Sequence, residues 1–195
     1  SSDALLIGLV NFPFPHKSIS LDQKIVGKKR AIEAGVLEAA HSVIVTTDAD
    51  CIHSKNWLQE INKLIDSGSE FIMAPVINTK RPGLFSNLQQ IEALLLAGIT
   101  VGSAKLKTPL LCSGANLSYT KALYNKLQPY QDNYKILSGD DMFFLEKIIR
   151  SDNMNHVGIS PNSNVETEEA KSFIEMVSRS VRWASKSRKL EMPLS

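Results

Sequence analysis

The stretch Val43-Ile44-Val45-Thr46-Thr47-Asp48-Ala49-Asp50-Cys51 joins an apolar run to two aspartates that are two positions apart. The β-branched residues of its first half predict a buried strand over residues 42–47. Alternation along an extended chain directs the side chains of Asp48 and Asp50 to the same side. In an open α/β sheet, the carboxyl end of a strand borders the usual ligand crevice. Two carboxylates there indicate Mg²⁺ or Mn²⁺ bridged to phosphate oxygens, and a solvated acidic turn with a helix cap remains the alternative.

Strand-like and helix-like patterns alternate on both sides of this stretch. This alternation predicts an α/β fold, with a largely parallel central sheet flanked by helices, and one domain over residues 1–195. The predicted strands cover residues 4–10, 42–47, 71–77, a short segment near Leu110, and 155–159. The predicted helices are marked by Ile25, Ile32, Val36 and Ala39, by Trp57 to Ile65, by Leu84, Leu88, Ile91 and Leu95, by Met142, Leu145 and Ile149, and by Phe173, Val177 and Val181.

The composition is that of an ordinary globular protein. Of the 195 residues, 43% are hydrophobic and 22% charged, and the net charge of +2 gives no indication of a nucleic-acid partner. The two cysteines, Cys51 and Cys112, fit a reducing compartment rather than a disulfide framework. The longest apolar segment, residues 84–104, is interrupted by polar side chains, so we expect a soluble chain whose membrane anchor, if one exists, lies outside it.

A second acidic pair, in Gly139-Asp140-Asp141, opens a predicted helix. Aspartate at a helix start is commonly a cap that the helix dipole favours, and this explains one of the two residues. Two adjacent carboxylates can also raise each other's proton affinity, which suits a general base. Both interpretations stay open from the residues alone.

Three further segments have a functional and a structural interpretation. The small-residue turn Ser113-Gly114-Ala115-Asn116 allows a ligand to approach the backbone, yet Asn116 equally suits a turn that satisfies its own backbone. Arg182-Trp183 combines a phosphate-binding guanidinium with an indole that can stack on a sugar, or is simply part of a packed helix. Lys28 and Lys29 are interpreted most simply as an exposed helix face.

The order of these segments resembles glycosyltransferase family 2, and the resemblance covers about residues 24–186. It rests on Gly27-Lys28-Lys29-Arg30-Ala31, Thr47-Asp48-Ala49-Asp50-Cys51 before Trp57-Leu58, Ser113-Gly114-Ala115-Asn116, Gly139-Asp140-Asp141 and Arg182-Trp183-Ala184-Ser185-Lys186. The resemblance implies a Rossmann-like GT-A fold and an enzyme that moves a sugar from a nucleotide-diphosphate sugar, a UDP-sugar above all, to a hydroxyl of a carbohydrate or lipid-linked acceptor.

The resemblance also implies a role for each site residue. Asp50 would ligate Mn²⁺ or Mg²⁺ directly, with Asp48 near the ribose or the metal's waters and Lys28 on the donor side. Asp141 would be the general base of an inverting transfer, and Asp140 would orient the base or the acceptor. The acceptor and diphosphate side would be shaped by Gly114, Ala115, Asn116, Arg182 and Trp183.

Two departures from the family pattern limit the resemblance. The usual opening strands that hold uracil and ribose have no counterpart, so we expect a partial catalytic domain, incomplete at its N-terminal side, with a sheet edge at which a homodimer could form. Arg179 stands where processive members carry Gln. The alternatives are a haloacid dehalogenase-type magnesium phosphohydrolase and a non-catalytic domain that binds a carbohydrate or another partner. We expect the chain in the cytoplasm or at the cytoplasmic face of a membrane, with any membrane association provided by segments outside it.

Overall fold

The structure is a computed structural model that describes residues 17–21, 27–134, 136, 139–151 and 153–187, with the backbone alone for 182–187. The predicted strand over residues 4–10, and Ile25 of the first predicted helix, lie outside this part. The described elements are α1 (Lys28–Glu38), β1 (Val43–Thr46), β2 (Ile52–His53), α2 (Trp57–Asp66), β3 (Phe71–Met73), β4 (Val76–Asn78), α3 (Leu84–Lys105), β5 (Leu117–Thr120), α4 (Lys121–Leu127), α5 (Asp140–Arg150), β6 (Val157–Ile159), β7 (Val165–Thr167) and α6 (Phe173–Ser187).

The main sheet has the strand order β1-β5-β3-β6 among the described strands. Strand β3 is parallel to β6, whereas β5 is antiparallel to both of its neighbours, β1 and β3. Three strands therefore share one direction, as predicted, but the pairing is mixed rather than largely parallel. The cause lies in the register: Leu117, the first residue of β5, pairs with Thr46 and Met73, the last residues of β1 and β3. The chain thus enters β5 at the carboxyl edge of those strands and must run back.

A second, smaller sheet has the order β2-β7-β4. Its strand β4 follows β3 after only Ala74 and Pro75, so the single strand predicted over residues 71–77 is wrong. Proline has no backbone N–H to donate to a ladder. The chain therefore leaves the main sheet at Pro75 and enters the small sheet at Val76. Strand β7 pairs with β4 on one side and with β2 on the other. Because β2 follows β1 in the chain, β7 lies near the carboxyl end of β1.

Aromatic side chains form the centre of the core between the main sheet and α5. Phe144 contacts Phe71 and Tyr119 edge-to-face, with ring centroids 5.1 and 4.9 Å apart. All three rings are almost completely buried. Such pairs add to the free energy gained from burying their area. The helix that carries the second acidic pair is thereby fixed against the sheet.

Several short elements differ from the prediction. The strand expected near Leu110 instead follows the small-residue turn, as β5, and the strand expected over 155–159 begins as a 3₁₀ turn, Met154–His156. Strands of two to three residues such as β2 and β7 are too short to produce a readable alternation. Helix α4 begins at an unpredicted cap, where the Thr120 hydroxyl accepts the Leu123 N–H.

Helix α3 is the one helix of the described chain that is long and apolar enough to cross a membrane, by length and composition alone. This differs from the expectation that the polar interruptions of residues 84–104 exclude such a segment. The helix packs against β4 and β6, with buried Ser86, Gln89 and Thr100 on its inner face.

Candidate active site

Asp48 and Asp50 lie just beyond the carboxyl end of β1, as predicted. The chain turns sharply there, and the Cys51 N–H donates to the Asp48 carbonyl oxygen at 3.2 Å. Both carboxylates are exposed. One Asp50 carboxylate oxygen accepts a hydrogen bond from the hydroxyl of Thr167, at the end of β7, at 3.3 Å. Two accessible carboxylates on one turn therefore stand at the sheet edge where a ligand can reach them.

The ammonium group of Lys28 connects the two acidic motifs. Its Nζ lies 2.9 Å from the Asp48 carboxylate and 3.8 Å from the Asp140 carboxylate. Burial opposes the charge of Lys28, but the carboxylates of Asp140 and Asp48 outweigh it, so the pKa of Lys28 lies above its ordinary value. Lys28 thus stays protonated and holds both motifs at one point.

The second acidic pair sits at the N-terminus of α5 and is buried, with Asp140 4% and Asp141 9% exposed. Gly139 precedes it at a φ of 85°, in the left-handed region that glycine adopts without strain. The two Asp141 carboxylate oxygens accept backbone N–H groups, from Met142 at 2.9 Å and from Gly114 at 3.2 Å. Asp141 therefore ties the small-residue turn to the helix and keeps a fixed orientation.

Gly114 lies where the two acidic motifs meet. A Cβ atom added to it would stand 3.0 Å from an Asp140 carboxylate oxygen and 3.4 Å from Lys28 Nζ. The first distance is shorter than ordinary van der Waals contact, and the second is at its lower limit. A side chain at this position would require the Asp140 carboxylate or the turn to shift by a few tenths of an ångström.

Asn116 does not face the acceptor side as predicted. It is 1% exposed, and its amide group donates to the carbonyl oxygens of Pro75 and Ser163 at 2.9 and 2.7 Å. Its side-chain oxygen accepts the indole N–H of Trp57 at 2.9 Å. Because both amide hydrogens are used, Asn116 joins α2, the β3–β4 step and the loop before β7, and it positions the turn instead of contacting a sugar.

The remaining sequence predictions divide into three groups. Ala115 is buried beside Gly114 in the turn. Lys29 is wrongly predicted as exposed: it is 3% exposed, since its ammonium donates to Asn133 and lies 4.1 Å above the Phe143 ring. Arg182 and Trp183 belong to α6, but their side chains lie outside the described part, so their roles remain predictions.

A cavity of about 360 Å³ adjoins the acidic turn, and sequence reasoning missed it. It lies between α3, α6 and the small sheet, and its lining includes Glu92, Leu96, Leu111, Thr167, Met176 and Arg179. Thr167 belongs both to this lining and to the contact with Asp50. The Arg179 guanidinium donates to the Glu168 carbonyl oxygen at 2.9 Å and pairs with Glu175. No local pattern signals Thr167, because its position depends on the pairing of β7 with β2 and β4.

The donor set of the acidic turn fits a hard divalent cation. No group of three or more His, Cys, Asp or Glu side chains converges anywhere in the described residues. Mg²⁺ in phosphate-binding sites characteristically takes one or two protein carboxylates and completes its shell with phosphate oxygens and water. Asp48 and Asp50 can supply these one or two carboxylate ligands.

Comparison with known families identifies the chain. The sequence model described as glycosyl transferase family 2 matches residues 3–134, more than half of the chain. The chain belongs to glycosyl transferase family 2. This membership contradicts the phosphohydrolase alternative. A comparison with curated protein sequences gives no significant match.

A solved structure shows the same fold for this family 2 chain. Glucosyl-3-phosphoglycerate synthase from Mycobacterium tuberculosis, solved with Mn²⁺, UDP-glucose and phosphoglyceric acid, superposes with a TM-score of 0.52 at 13% identity over 88% of this chain. Mannosyl-3-phosphoglycerate synthase from Rubrobacter xylanophilus gives 0.46 at 10% identity over 87%. The chain spans 56% and 54% of these proteins. The first likeness confirms the predicted GT-A fold.

Proposed function

We propose that this chain is the catalytic part of an inverting glycosyltransferase that moves a sugar from a UDP-sugar to a hydroxyl of its acceptor. The observation that carries the proposal is the position of Lys28, whose ammonium contacts both the Asp48 and the Asp140 carboxylates. Donor-binding and proton-accepting groups must stand on two sides of one reacting carbon. The two acidic motifs meet across a single side chain, and this supports a shared site.

The donor end of the site is formed by Asp48, Asp50 and Lys28. The Lys28 ammonium, now paired with Asp48, would turn to the diphosphate oxygens of the donor. A Mn²⁺ or Mg²⁺ ion at Asp50 and Asp48 would supply Lewis-acid neutralisation of the charge on the departing diphosphate. The structurally similar synthase solved with Mn²⁺ and UDP-glucose supports this choice of metal and nucleotide.

Asp141 is the proposed general base. It accepts the proton of the acceptor hydroxyl while that oxygen forms a bond to the anomeric carbon. The bond between this carbon and the diphosphate oxygen breaks on the opposite face, so the configuration inverts and the nucleoside diphosphate leaves. The N–H groups of Gly114 and Met142 fix the carboxylate in advance. An ionised carboxylate has about four acceptor sites in all, so it can accept the acceptor hydroxyl as well as backbone N–H groups. Asp140, next to Lys28, orients the base.

The acceptor side extends from Gly114 and Ala115 into the cavity beside α6. Thr167 connects this cavity to Asp50, and Arg179 places a cation on its wall. Arg182 and Trp183 follow on the same helix and complete the acceptor side in this proposal. Because Arg179 replaces the glutamine of processive members, we propose single transfers rather than polymer synthesis.

We place this reaction in the cytoplasm or at the cytoplasmic face of a membrane. No disulfide joins Cys51 to Cys112, which accords with a reducing compartment.

Calorimetric titration tests the donor site directly. UDP titrated into the full-length enzyme is expected to bind in the presence of Mn²⁺, and to lose that binding when Asp50→Asn replaces a charged oxygen ligand with a neutral amide. Asp66→Asn, at an exposed position of α2, is the matched control and should bind as the wild type does. Absence of UDP binding to the full-length wild-type protein would support the non-catalytic alternative instead.

A further inference from the structure

Helix α3 has its polarity reversed relative to an ordinary surface helix. Its inner face is polar or small and makes hydrogen bonds to the fold. The Gln89 side chain donates to the Ala170 carbonyl oxygen at 3.2 Å and accepts the Ala170 N–H at 2.7 Å. The Ser86 hydroxyl donates to Glu169 at 2.6 Å. Its outer face carries large apolar side chains that are 44% to 85% exposed: Leu84, Leu88, Ile91, Leu94, Leu95 and Ile99.

These outer residues form one continuous stripe. Leu84, Leu88, Ile91, Leu95 and Ile99 recur at intervals of three and four, so they lie on one face of the helix. A helix of 22 residues is about 33 Å long. An exposed apolar strip of this length marks a surface that is covered in the working protein. We call these five residues the α3 stripe.

The charged residues around the α3 stripe indicate what kind of partner it binds. Residues 79–111 contain four basic residues and one acidic residue. Lys80 and Arg81 precede the helix, where the Arg81 guanidinium lies 3.9 Å from the Glu168 carboxylate and Glu169 accepts the Ser86 hydroxyl, and Lys105 and Lys107 stand at its other end. The acidic residue, Glu92, faces α6, where it accepts the Ser180 hydroxyl at 2.8 Å. The stripe is therefore apolar along its length, and Lys105 and Lys107 make one of its ends positive.

A second copy of the chain is a poor partner for such a surface. Parallel pairing of two α3 helices sets Lys105 and Lys107 against the same residues of the other copy. Antiparallel pairing sets Lys80 and Arg81 against Lys105 and Lys107. Either arrangement places further cations beside Lys105 and Lys107, whereas an anionic surface complements them.

We propose that the α3 stripe docks the protein on the surface of a membrane that contains anionic lipids, with α3 lying flat in the interface. The hydrogen bonds of Gln89 and Ser86 hold the inner face to the protein, so the helix does not cross the bilayer, where lipid would surround it. Apolar residues on one face with cations at the edges characterise helices that bind in the interfacial plane. The proposal is independent of the chemistry proposed above.

Vesicle flotation of the 195-residue chain tests the docking. We expect binding to phosphatidylcholine vesicles that contain phosphatidylglycerol, and weaker binding to phosphatidylcholine alone. The triple variant Leu88→Gln, Ile91→Gln, Leu95→Gln should lose more than about tenfold in vesicle affinity, since these side chains supply the apolar contact. Leu37→Gln, at an exposed leucine of α1, is the matched control and should float as the wild type does.

A double variant, Lys105→Gln with Lys107→Gln, tests how much the positive charges contribute to vesicle binding. Each lysine near an anionic surface contributes about fivefold to affinity, so the double variant should lose about 30-fold at low salt. Unchanged flotation of the triple variant, or absence of wild-type binding, would overturn the proposal. A wild-type dimer that the triple variant converts to a monomer would also overturn it, in favour of self-association. UDP titration of the triple variant should match the wild type, which separates failure of docking from failure of the donor site.

Discussion

The two acidic motifs of the chain are alike in composition and opposite in setting. Asp48 and Asp50 are exposed on a turn, and their carboxylates contact one lysine and one threonine. Asp140 and Asp141 are buried at the start of a helix, and backbone N–H groups hold the Asp141 carboxylate. An accessible carboxylate can exchange its partner for a ligand, whereas a buried one bonded to the backbone keeps a fixed position. The exposed pair therefore suits ligand binding, and the buried pair suits a reaction step that requires alignment.

The variant Asp141→Asn tests the proposed difference between the two acidic motifs most directly. Loss of a positioned base is expected to lower kcat about 10²–10⁴-fold while UDP affinity stays nearly intact. Initial rates of sugar transfer by the full-length enzyme, beside calorimetric titration of UDP with Mn²⁺, measure both quantities. The control is Asp132→Asn, because Asp132 is an exposed carboxylate paired with Lys147. If Asp141→Asn turns over at a near wild-type rate, Asp141 is not the general base, and Asp140 becomes the candidate.

Asp50→Asn should give the complementary result. A neutral amide is a poorer ligand for a hard cation, so we expect UDP·Mn²⁺ affinity to fall at least about tenfold. The same titration measures it, with the rate at saturating donor falling less than in Asp141→Asn. A variant that binds UDP·Mn²⁺ normally but transfers sugar slowly would show that the two motifs do not divide the work in this way.

Gly114→Ala probes the point at which the two motifs touch. The new methyl group would stand 3.0 Å from the Asp140 carboxylate oxygen and must displace it or the turn. We expect about a tenfold loss in kcat, together with a loss of about 1–3 kcal/mol in the free energy of unfolding.

The matched control for that variant is Gly35→Ala in α1, where an added Cβ meets nothing within 4 Å. Removing a glycine from a helix interior should stabilise the fold by about 0.5–1 kcal/mol and leave the rate unchanged. Chemical denaturation measures both effects. If Gly114→Ala proves as active and as stable as Gly35→Ala, the close approach at Gly114 is needed neither for activity nor for stability.

The smallest effect concerns the lysine between the motifs. The folded-state pKa of Lys28 is raised above its ordinary 10.5, so its charge stabilises the fold fully below that pH and ceases to do so as pH rises through the folded-state value. Because Lys28 is partly exposed, Lys28→Gln should cost less than about 1 kcal/mol at neutral pH. Urea denaturation at neutral pH and above pH 10.5 measures the difference from wild type. A difference that persists unchanged at high pH would indicate that packing, not charge, makes the contribution.

The sequence was sufficient to predict what depends on neighbouring residues. The apolar run before Asp48 predicts β1 and its acidic turn, and the periodicity of α2, α3 and α5 marks each helix. It did not predict contacts that depend on distant pairing. Thr167 reaches Asp50 only because β7 pairs with β2, a contact between residues more than a hundred positions apart. Asn116 is likewise occupied by partners from three separate segments.

Periodicity also located the apolar faces of helices without revealing what each face contacts. The α3 stripe and the residues Met142, Leu145 and Ile148 of α5 have similar spacing, yet these three are at most 4% exposed while the α3 stripe is exposed. The difference arises from the inner face of α3, where Gln89 and Ser86 find hydrogen-bond partners in the Glu169–Ala170 segment. A helical pattern shows which residues share a face, and the rest of the fold determines which face turns inward.

The lysine between the acidic motifs affects how strongly nucleotide binding should depend on salt. Lys28 is paired with the Asp48 carboxylate, so in the proposed site binding of a diphosphate would be an exchange in which one anion replaces another at the same ammonium. The net number of small ions displaced into solution is then lower than the formal charge of the nucleotide implies. Nucleotide affinity should accordingly depend only weakly on ionic strength.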